Sequence, residues 1–455
     1  KDGKEFTFVL REGVKWHDGK PLTAEDIKYS FDVFFEGRFN APHMKVYLEN
    51  LKEVKIVDAR TVQFVTKDLY FKNFETAATL FIIPKHIYSV GDPNDPKFNK
   101  ELIGTGPYAL AEWEKGQRLV LKKNPAFFGA NLPYYKERFH FDRIFYRPVK
   151  EEAVALELLK KGDLDYLGLT PEQYMQKAQG PEWGPGKKVS TVKAENSASD
   201  NFAYGFIGWN NLHPIFKDRN VRVAMSHLMN REFMNEKFRF NLSEPASGPF
   251  GNKNDMSSPS VKPVPFDPKK ALQLLEKAGW KMGDKGLAKK IDGKETAFEF
   301  TLMGANPDFE KYLTVIKEDM KKIGVTMNIK FLEWNSFVKL LDERKFEAVN
   351  LAWSASLDPD PKQIWHSASI PTPGHNFVQY TNIEVDKLID QGRAEMDRAK
   401  RIPTLRKIHE LIAEDQPYSF FFNRKFVLYG NANRLKKMKD TFKYSIGSDT
   451  WKLEK

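Results

Sequence analysis

The sequence contains no cysteine among its 455 residues. This absence excludes disulfide bonds, thiolate metal sites and a cysteine nucleophile together. It is compatible with the periplasm or the cell surface, although many cytosolic proteins also lack cysteine. No run approaches 18 consecutive apolar residues, so the sequence predicts no membrane-spanning helix. Residue 1 is a lysine that leads into a strand, so we expect that any export signal was removed or was never part of this sequence.

Motifs that carry catalytic or metal chemistry are also missing. The 9 histidines form no H-E-x-x-H or H-x-H pattern and have no partner at i+4. No G-x-S-x-G nucleophile elbow occurs. Asp358 and Asp360 flank a proline, and paired carboxylates can bind a cation, but two acids around a proline are more often a turn. We therefore expect no catalytic residue, no metal ligand and no cofactor.

The charge balance is basic, with 72 Lys and Arg against 61 Asp and Glu and a formal net charge of +11. A nucleic-acid partner is one interpretation of such a charge. The lysines are spread along the chain among acidic residues, without an arginine-rich arm, which favours a basic surface of a soluble protein. Aromatic residues make up 13% of the chain. That share suits a protein that encloses a ligand between lobes.

The length of the chain favours two large lobes or three domains over one core. Residues 1–103 have the pattern of a strand, a helix and a strand hairpin followed by a loop. The stretch from Gly248 to Pro268 is dense in glycine, proline, serine and asparagine and is the strongest linker candidate. Beyond it, strands and helices alternate as in a second α/β unit.

The segment near the start of the chain is the most informative part of the sequence. The segment from Phe6 to Ile27 combines an alternating strand, a turn and a helix start, with Thr23 and Asp26 in capping-box relation. The sequence of this segment resembles the signature of the family 5 extracellular solute-binding proteins. These proteins, also known as cluster C periplasmic binding proteins, are the receptors of dipeptide, oligopeptide and nickel ABC importers. Segments that match the same family follow in order along the chain. They are Gly104–Tyr108 with Asn124–Gly129, Asp218–Met225 with Asn230–Arg231, Asp267–Gly279, Tyr380–Leu388 and Glu414–Tyr418.

The resemblance implies an α/β, two-lobed fold of the periplasmic-binding-protein type II kind, with a ligand cleft between the lobes. It divides the chain into lobe I at 1–250, lobe II at 251–415 and a return of 416–455 to lobe I. The crossovers are expected near Gly248 and Pro417. Residues 1–103 would be an extra subdomain of lobe I. Relatives begin earlier, so a front segment of lobe I is expected to be missing.

The resemblance also points to a ligand loop after Trp353. Peptide-binding relatives typically have W-x-x-D at this place, and that aspartate pairs with the α-ammonium of the peptide. This sequence has Ser356 instead, which would leave a buried ammonium unpaired. Asp358 would take over the role after a shift of the loop. Trp353 is expected as a wall of the cleft, with a core tryptophan as the equal alternative.

Three further ligand-binding residues are implied by the crossovers. Trp209 and Asn210 lie where the first crossover of the family lines the cleft, and they would offer a ring and an amide to an extended ligand. Tyr418 lies at the second crossover, where strand alternation would equally place it in a core.

The sequence therefore predicts an exported solute-binding receptor, periplasmic or at the cell surface. It would act as a monomer that takes a peptide or another small solute to an ABC permease, without nucleic acid. An α/β hydrolase or peptidase and a basic nucleic-acid-binding protein are the alternatives. Peptides are the commonest cargo of the family, while nickel is disfavoured by the lack of a histidine cluster.

Overall fold

A computed structural model describes residues 3–37, 45, 48–92, 95–100, 102–195, 203–354, 356–437 and 448–454. The strands of this part of the chain are β1 (Glu5–Val9), β2 (Leu51–Asp58), β3 (Thr61–Thr66), β4 (Tyr108–Glu114), β5 (Arg118–Lys123), β6 (Arg143–Tyr146), β7 (Tyr166–Gly168), β8 (Val189–Glu195), β9 (Tyr204–Trp209), β10 (Ser243–Pro245), β11 (Lys281–Gly283), β12 (Gly286–Ile291), β13 (Lys294–Ala297), β14 (Glu299–Gly304), β15 (Thr326–Phe331), β16 (Ala348–Trp353), β17 (Tyr418–Arg424), β18 (Phe426–Ala432), β19 (Leu435–Lys437) and β20 (Trp451–Leu453). The α-helices are α1 (Ala24–Asp32), α2 (Asn73–Ala78), α3 (Lys85–Tyr88), α4 (Glu152–Lys161), α5 (Arg219–His227), α6 (Arg231–Arg239), α7 (Pro268–Lys277), α8 (Glu310–Lys322), α9 (Trp334–Asp342), α10 (Lys362–Trp365), α11 (Ile383–Ala394) and α12 (Arg398–Asp415).

The first unit is an antiparallel sheet in the order β1-β3-β2 with α1 packed against it. The sequence predicts its hairpin and its helix start, and both are present. Thr23 N donates to the Asp26 carboxylate at 2.9 Å, which satisfies a donor at the helix N-terminus. Ile27 and Phe31 lie on the buried face of α1. The ring of His17 bonds the Gly106 carbonyl and the Gly104 amide, so this histidine fixes a turn.

The largest sheet has six strands in the order β10-β17-β9-β16-β14-β15. Helices α5, α7 and α8 pack on one of its faces. Helices α9 to α12 pack on the other. Each face buries mainly Leu, Ile, Val, Met and aromatic side chains, and each such side chain stabilises the fold by roughly 1.5–3 kcal/mol. The result is a three-layer α/β/α lobe.

Most of the remaining strands form three smaller sheets. We group these sheets with the β1-β3-β2 unit as the other lobe. Their orders are β4-β5-β6, β7-β18-β8 and β19-β20. A separate meander, β11-β12-β13, extends the large lobe beside α7 and α8.

The chain passes between the two lobes at two neighbouring places. On the side of the small sheets, Phe426 pairs with Glu195. On the side of the six-stranded sheet, Asn423 pairs with Tyr204. The crossovers therefore lie between residues 195 and 204 and at Lys425, instead of near Gly248 and Pro417. Residues 204–250 and 416–424 therefore belong with the predicted lobe II, because β9 and β17 are central strands of its sheet.

The loop from Gly248 to Pro268 does not act as a linker. Phe250 and Met256 within it are 1% and 0% exposed. Ser257 Oγ donates to the Gly251 carbonyl at 2.6 Å, and the Ser258 amide donates to His409 at 3.0 Å. Its glycine- and proline-rich composition reflects tight turns on the surface of the large lobe.

Candidate functional site

The topology of the six-stranded sheet marks one edge as the candidate site. Strand β14 lies between β15 and β16 and is parallel to both. The connection from β14 to β15 runs through α8 on one face, and the connection from β15 to β16 runs through α9 on the other. In open α/β sheets, ligands bind outside the carboxyl ends of the strands where the winding changes direction in this way. That place is the end of β14 at Gly304 and of β16 at Trp353.

Trp353 is the aromatic side chain at this edge. It is partly exposed, and its ring lies parallel to that of Phe377, with ring centres 5.9 Å apart. Phe206 stacks with it at 6.4 Å. The indole Nε1 donates to the Tyr418 hydroxyl at 3.3 Å. Trp353 therefore presents a fixed aromatic surface at the carboxyl end of β16.

Tyr418 supports Trp353 from inside the lobe. It is 0% exposed, and its ring stacks on Phe206 at 3.8 Å. Burial raises the pKa of its hydroxyl, which keeps that group neutral and able to accept from Trp353. The Tyr418 side chain has no surface for a ligand. It occupies the core position that strand alternation equally allowed, and not a position in contact with the ligand.

Arg344 is a supporting residue that the sequence analysis missed. Its guanidinium lies 5.0 Å from the centre of the Phe377 ring. It also donates to the carbonyl groups of Ile370 and Gly374, at 2.6 and 2.8 Å. Burial lowers its pKa. These three partners lie 26 to 33 positions away, and no local pattern in the sequence indicates them.

Trp209 and Asn210 lie away from this edge. Trp209 is 0% exposed in the core on the opposite face of the sheet, and its Nε1 donates to Ser419 Oγ at 2.9 Å. The Asn210 amide donates to the Phe346 carbonyl at 2.8 Å and accepts from Gln379 at 2.9 Å. These contacts contradict the expectation that the two side chains face the cleft. Strand β9 is central and buried on both faces, so alternation could not distinguish its ligand side from its core side.

The β16–α10 loop, of which the structure describes residues 354 and 356–361, contains Ser356 and Asp358. Ser356 is exposed, and its hydroxyl donates to the Asp358 carbonyl at 2.8 Å. The Asp358 carboxylate accepts from Arg398 at 2.8 Å and lies 3.6 Å from Arg401. Hydrogen bonds to Asp255 and Asp358 raise the pKa of Arg398, so this ion pair persists across the physiological range. The Asp358 carboxylate is thus paired with arginine side chains in this arrangement of the loop.

The same loop contacts the three-stranded sheet unit. Lys72 Nζ donates to Ser356 Oγ at 3.3 Å. The Tyr70 hydroxyl donates to Asp360 at 2.6 Å, and Arg393 pairs with the same carboxylate. Sequence reasoning found neither Lys72 nor Tyr70, because about 290 positions separate each from its partner.

The described residues hold no group of three or more His, Asp or Glu arranged for a metal ion. No α-helix in this part of the chain is both long and apolar enough to cross a membrane. The observed arrangement, an aromatic surface and a hydrogen-bonded loop between two lobes, has the form of a binding site for a solute.

Comparisons with known proteins agree with this geometry. The sequence profile of the bacterial extracellular solute-binding proteins, family 5, matches residues 1–375. The oligopeptide-binding protein AppA of Bacillus subtilis is 30% identical over 470 residues, which cover 100% of this chain and 80% of that protein. Its solved structure in complex with a nonapeptide superposes with a TM-score of 0.84 at 29% identity, covering 100% of this chain and 88% of the other. NikZ of Campylobacter jejuni in complex with Ni(L-His) has a TM-score of 0.80 at 25% identity, with 96% and 85% covered.

Proposed function

This chain belongs to the bacterial extracellular solute-binding proteins of family 5, and we propose that it is the receptor of an ABC importer. In this role it captures a peptide or peptide-like solute between its lobes and delivers it to the membrane permease. The similarity to a protein whose structure holds a nonapeptide supports this cargo.

The position of Trp353 is the observation that carries the proposal. Its ring is fixed by Phe377, Phe206 and Tyr418 and stays partly exposed at the carboxyl end of β16. An aromatic surface held in this way pays little entropy when a ligand packs on it. Ser356 lies three residues further on, at the contact with the other lobe. A ligand that packs on Trp353 and extends to the contact between Ser356 and Lys72 would touch both lobes at once.

Binding then works by closure instead of by chemistry. A ligand that touches both lobes only in the closed state shifts the equilibrium towards that state by its differential affinity. The two neighbouring crossovers are the segments about which the lobes rotate. The proposed receptor breaks no bond and needs no cofactor. It acts as an exported monomer outside the cytoplasmic membrane.

The test is titration of the purified protein with a nonapeptide library, followed by calorimetry and tryptophan fluorescence. Trp353→Ala should weaken binding by about 30-fold, because an aromatic anchor in a desolvated pocket contributes roughly 2 kcal/mol. Trp113→Ala is the matched control, since Trp113 is 40% exposed on β4 in another sheet. Its affinity should match that of the unmodified protein.

Two outcomes would contradict the proposal. Binding of Ni(L-His) without binding of any peptide would assign a different cargo. Affinity for a polyanion that collapses with added salt, again without peptide binding, would point to nucleic acid, because contacts in an enclosed site are screened little by salt.

A further inference from the structure

We propose that Lys72 determines which end of a ligand the β16–α10 loop accepts, and that this end carries an oxygen acceptor instead of a free ammonium group. The inference rests on the proposed function and refines its substrate class to peptides that are acylated or anionic at this end. It is carried by the charges around Ser356.

Lys72 brings a positive charge to the loop from the opposite lobe. Its side chain is 15% exposed, and its Nζ lies 3.3 Å from Ser356 Oγ. The nearest carboxylate is that of Glu75 at 3.5 Å, which is itself 56% exposed and therefore well solvated. Solvent screens the Glu75 charge, so the Lys72 charge is only partly compensated.

The acids of the loop do not offset this charge. Asp358 and Asp360 are the only acidic residues in 354–361. Asp358 is bound by Arg398, and Asp360 is bound by Tyr70 and Arg393. An α-ammonium placed at Ser356 would therefore meet a lysine ammonium, with both carboxylates of the loop itself already paired. Like charges placed this close together repel each other.

An oxygen acceptor fits the same place. The Ser356 hydroxyl uses its proton on the Asp358 carbonyl and accepts from Lys72. The ammonium of Lys72 has three N–H donors, of which Ser356 and Glu75 take two. The third can donate to a ligand oxygen. An acyl carbonyl and a carboxylate both supply that oxygen, and the carboxylate also balances the charge.

The test is a competition among three nonapeptide libraries of equal composition, with free, N-acetylated and N-succinylated amino termini, read by native mass spectrometry. The unmodified protein should favour the acetylated over the free library by about tenfold. A further preference for the succinylated library identifies a carboxylate as the preferred acceptor, and equal binding of the two identifies an acyl carbonyl. Lys72→Met should bring the free and acetylated libraries within about threefold, whereas Lys72→Arg should retain the preference.

Equal or tighter binding of the free library by the unmodified protein would overturn the inference. So would an unchanged preference in Lys72→Met with an unchanged melting temperature. Either result leaves the proposed receptor function standing, provided that Trp353→Ala weakens all three libraries alike. Binding of none of the three libraries would instead contradict the proposed function itself.

Discussion

The Tyr70 hydroxyl donates a hydrogen bond of 2.6 Å to the Asp360 carboxylate, which joins the three-stranded unit to the β16–α10 loop. Arg393 completes the cluster by pairing with Asp360 and covering the Tyr70 ring at 4.1 Å. Burial and the nearby Asp360 charge raise the pKa of Tyr70, so the hydroxyl remains a donor. The cluster fixes the loop on which we place the ligand.

Removal of either partner of Asp360 should destabilise the protein by different amounts. The side chains of Arg393 and Asp360 are 15% and 14% exposed. Arg393→Met leaves a carboxylate without its cation and should lower the free energy of unfolding in urea by about 3 kcal/mol. Tyr70→Phe removes one hydrogen bond to a charged group and should cost about 1.5 kcal/mol.

The matched control for this pair is Lys28→Ala. Lys28 and Asp32 form an i,i+4 pair whose side chains are 40% and 33% exposed, and its loss should cost less than about 0.5 kcal/mol. A cost of Arg393→Met as small as that of the control would show that the Asp360 cluster does not hold the two units together.

Trp209→Phe should reduce stability and leave ligand affinity unchanged. The substitution removes the indole N–H that donates to Ser419, within a buried chain that continues from Ser419 to Ser226 and Gln416. A lost buried hydrogen bond and a smaller ring together should cost about 2–3 kcal/mol in urea unfolding. In calorimetric titration with the nonapeptide library, the variant should have the same affinity as the unmodified protein. A loss of affinity would show that Trp209 contributes to the ligand site.

Buried His409 should make the protein sensitive to acid. Burial lowers its pKa from 6.5 to about 4, and its Nδ1 accepts from the Ser258 amide at 3.0 Å. The folded state therefore holds the neutral ring. The stability from this group is complete above pH 6.5 and is lost as the pH falls towards 4, by roughly 3 kcal/mol in total. Urea unfolding at pH 7, 5.5 and 4 measures this loss.

His409→Asn is the variant that isolates this effect. The amide oxygen of asparagine can accept from Ser258 and does not titrate, so stability should fall less between pH 7 and pH 4. His213 titrates in both proteins, and burial lowers its pKa as well. The informative quantity is therefore the difference between the two profiles, and parallel profiles would contradict the assignment to His409.

A hydrogen bond between residues close together in the chain, such as a helix cap, is predictable from the sequence. The capping box at Thr23 is present as expected, because it satisfies a backbone donor within three residues. The prediction of a linker at Gly248–Pro268 is wrong, because composition does not show whether a turn packs on a core.

The candidate site was predictable only in part. Trp353 is at the edge and Trp209 is in the core, although both end a strand of the same sheet. A strand buried on both faces gives no alternating pattern from which to choose between them. Lys72, Tyr70 and Arg344 act through distant partners, so only the folded chain brings them to the site.

The pairing of the two crossovers has a mechanical consequence. A single residue, Lys425, separates β17 in one lobe from β18 in the other, and the neighbouring crossover begins at Glu195, the partner of Phe426. The strands that flank the two connections are paired on both sides, Glu195 with Phe426 and Asn423 with Tyr204, so the lobes can bend about the line through these pairs but resist twisting and sliding. The lobes should thus rotate about a single fixed axis. Different ligands should change the angle of closure and not the direction of the rotation.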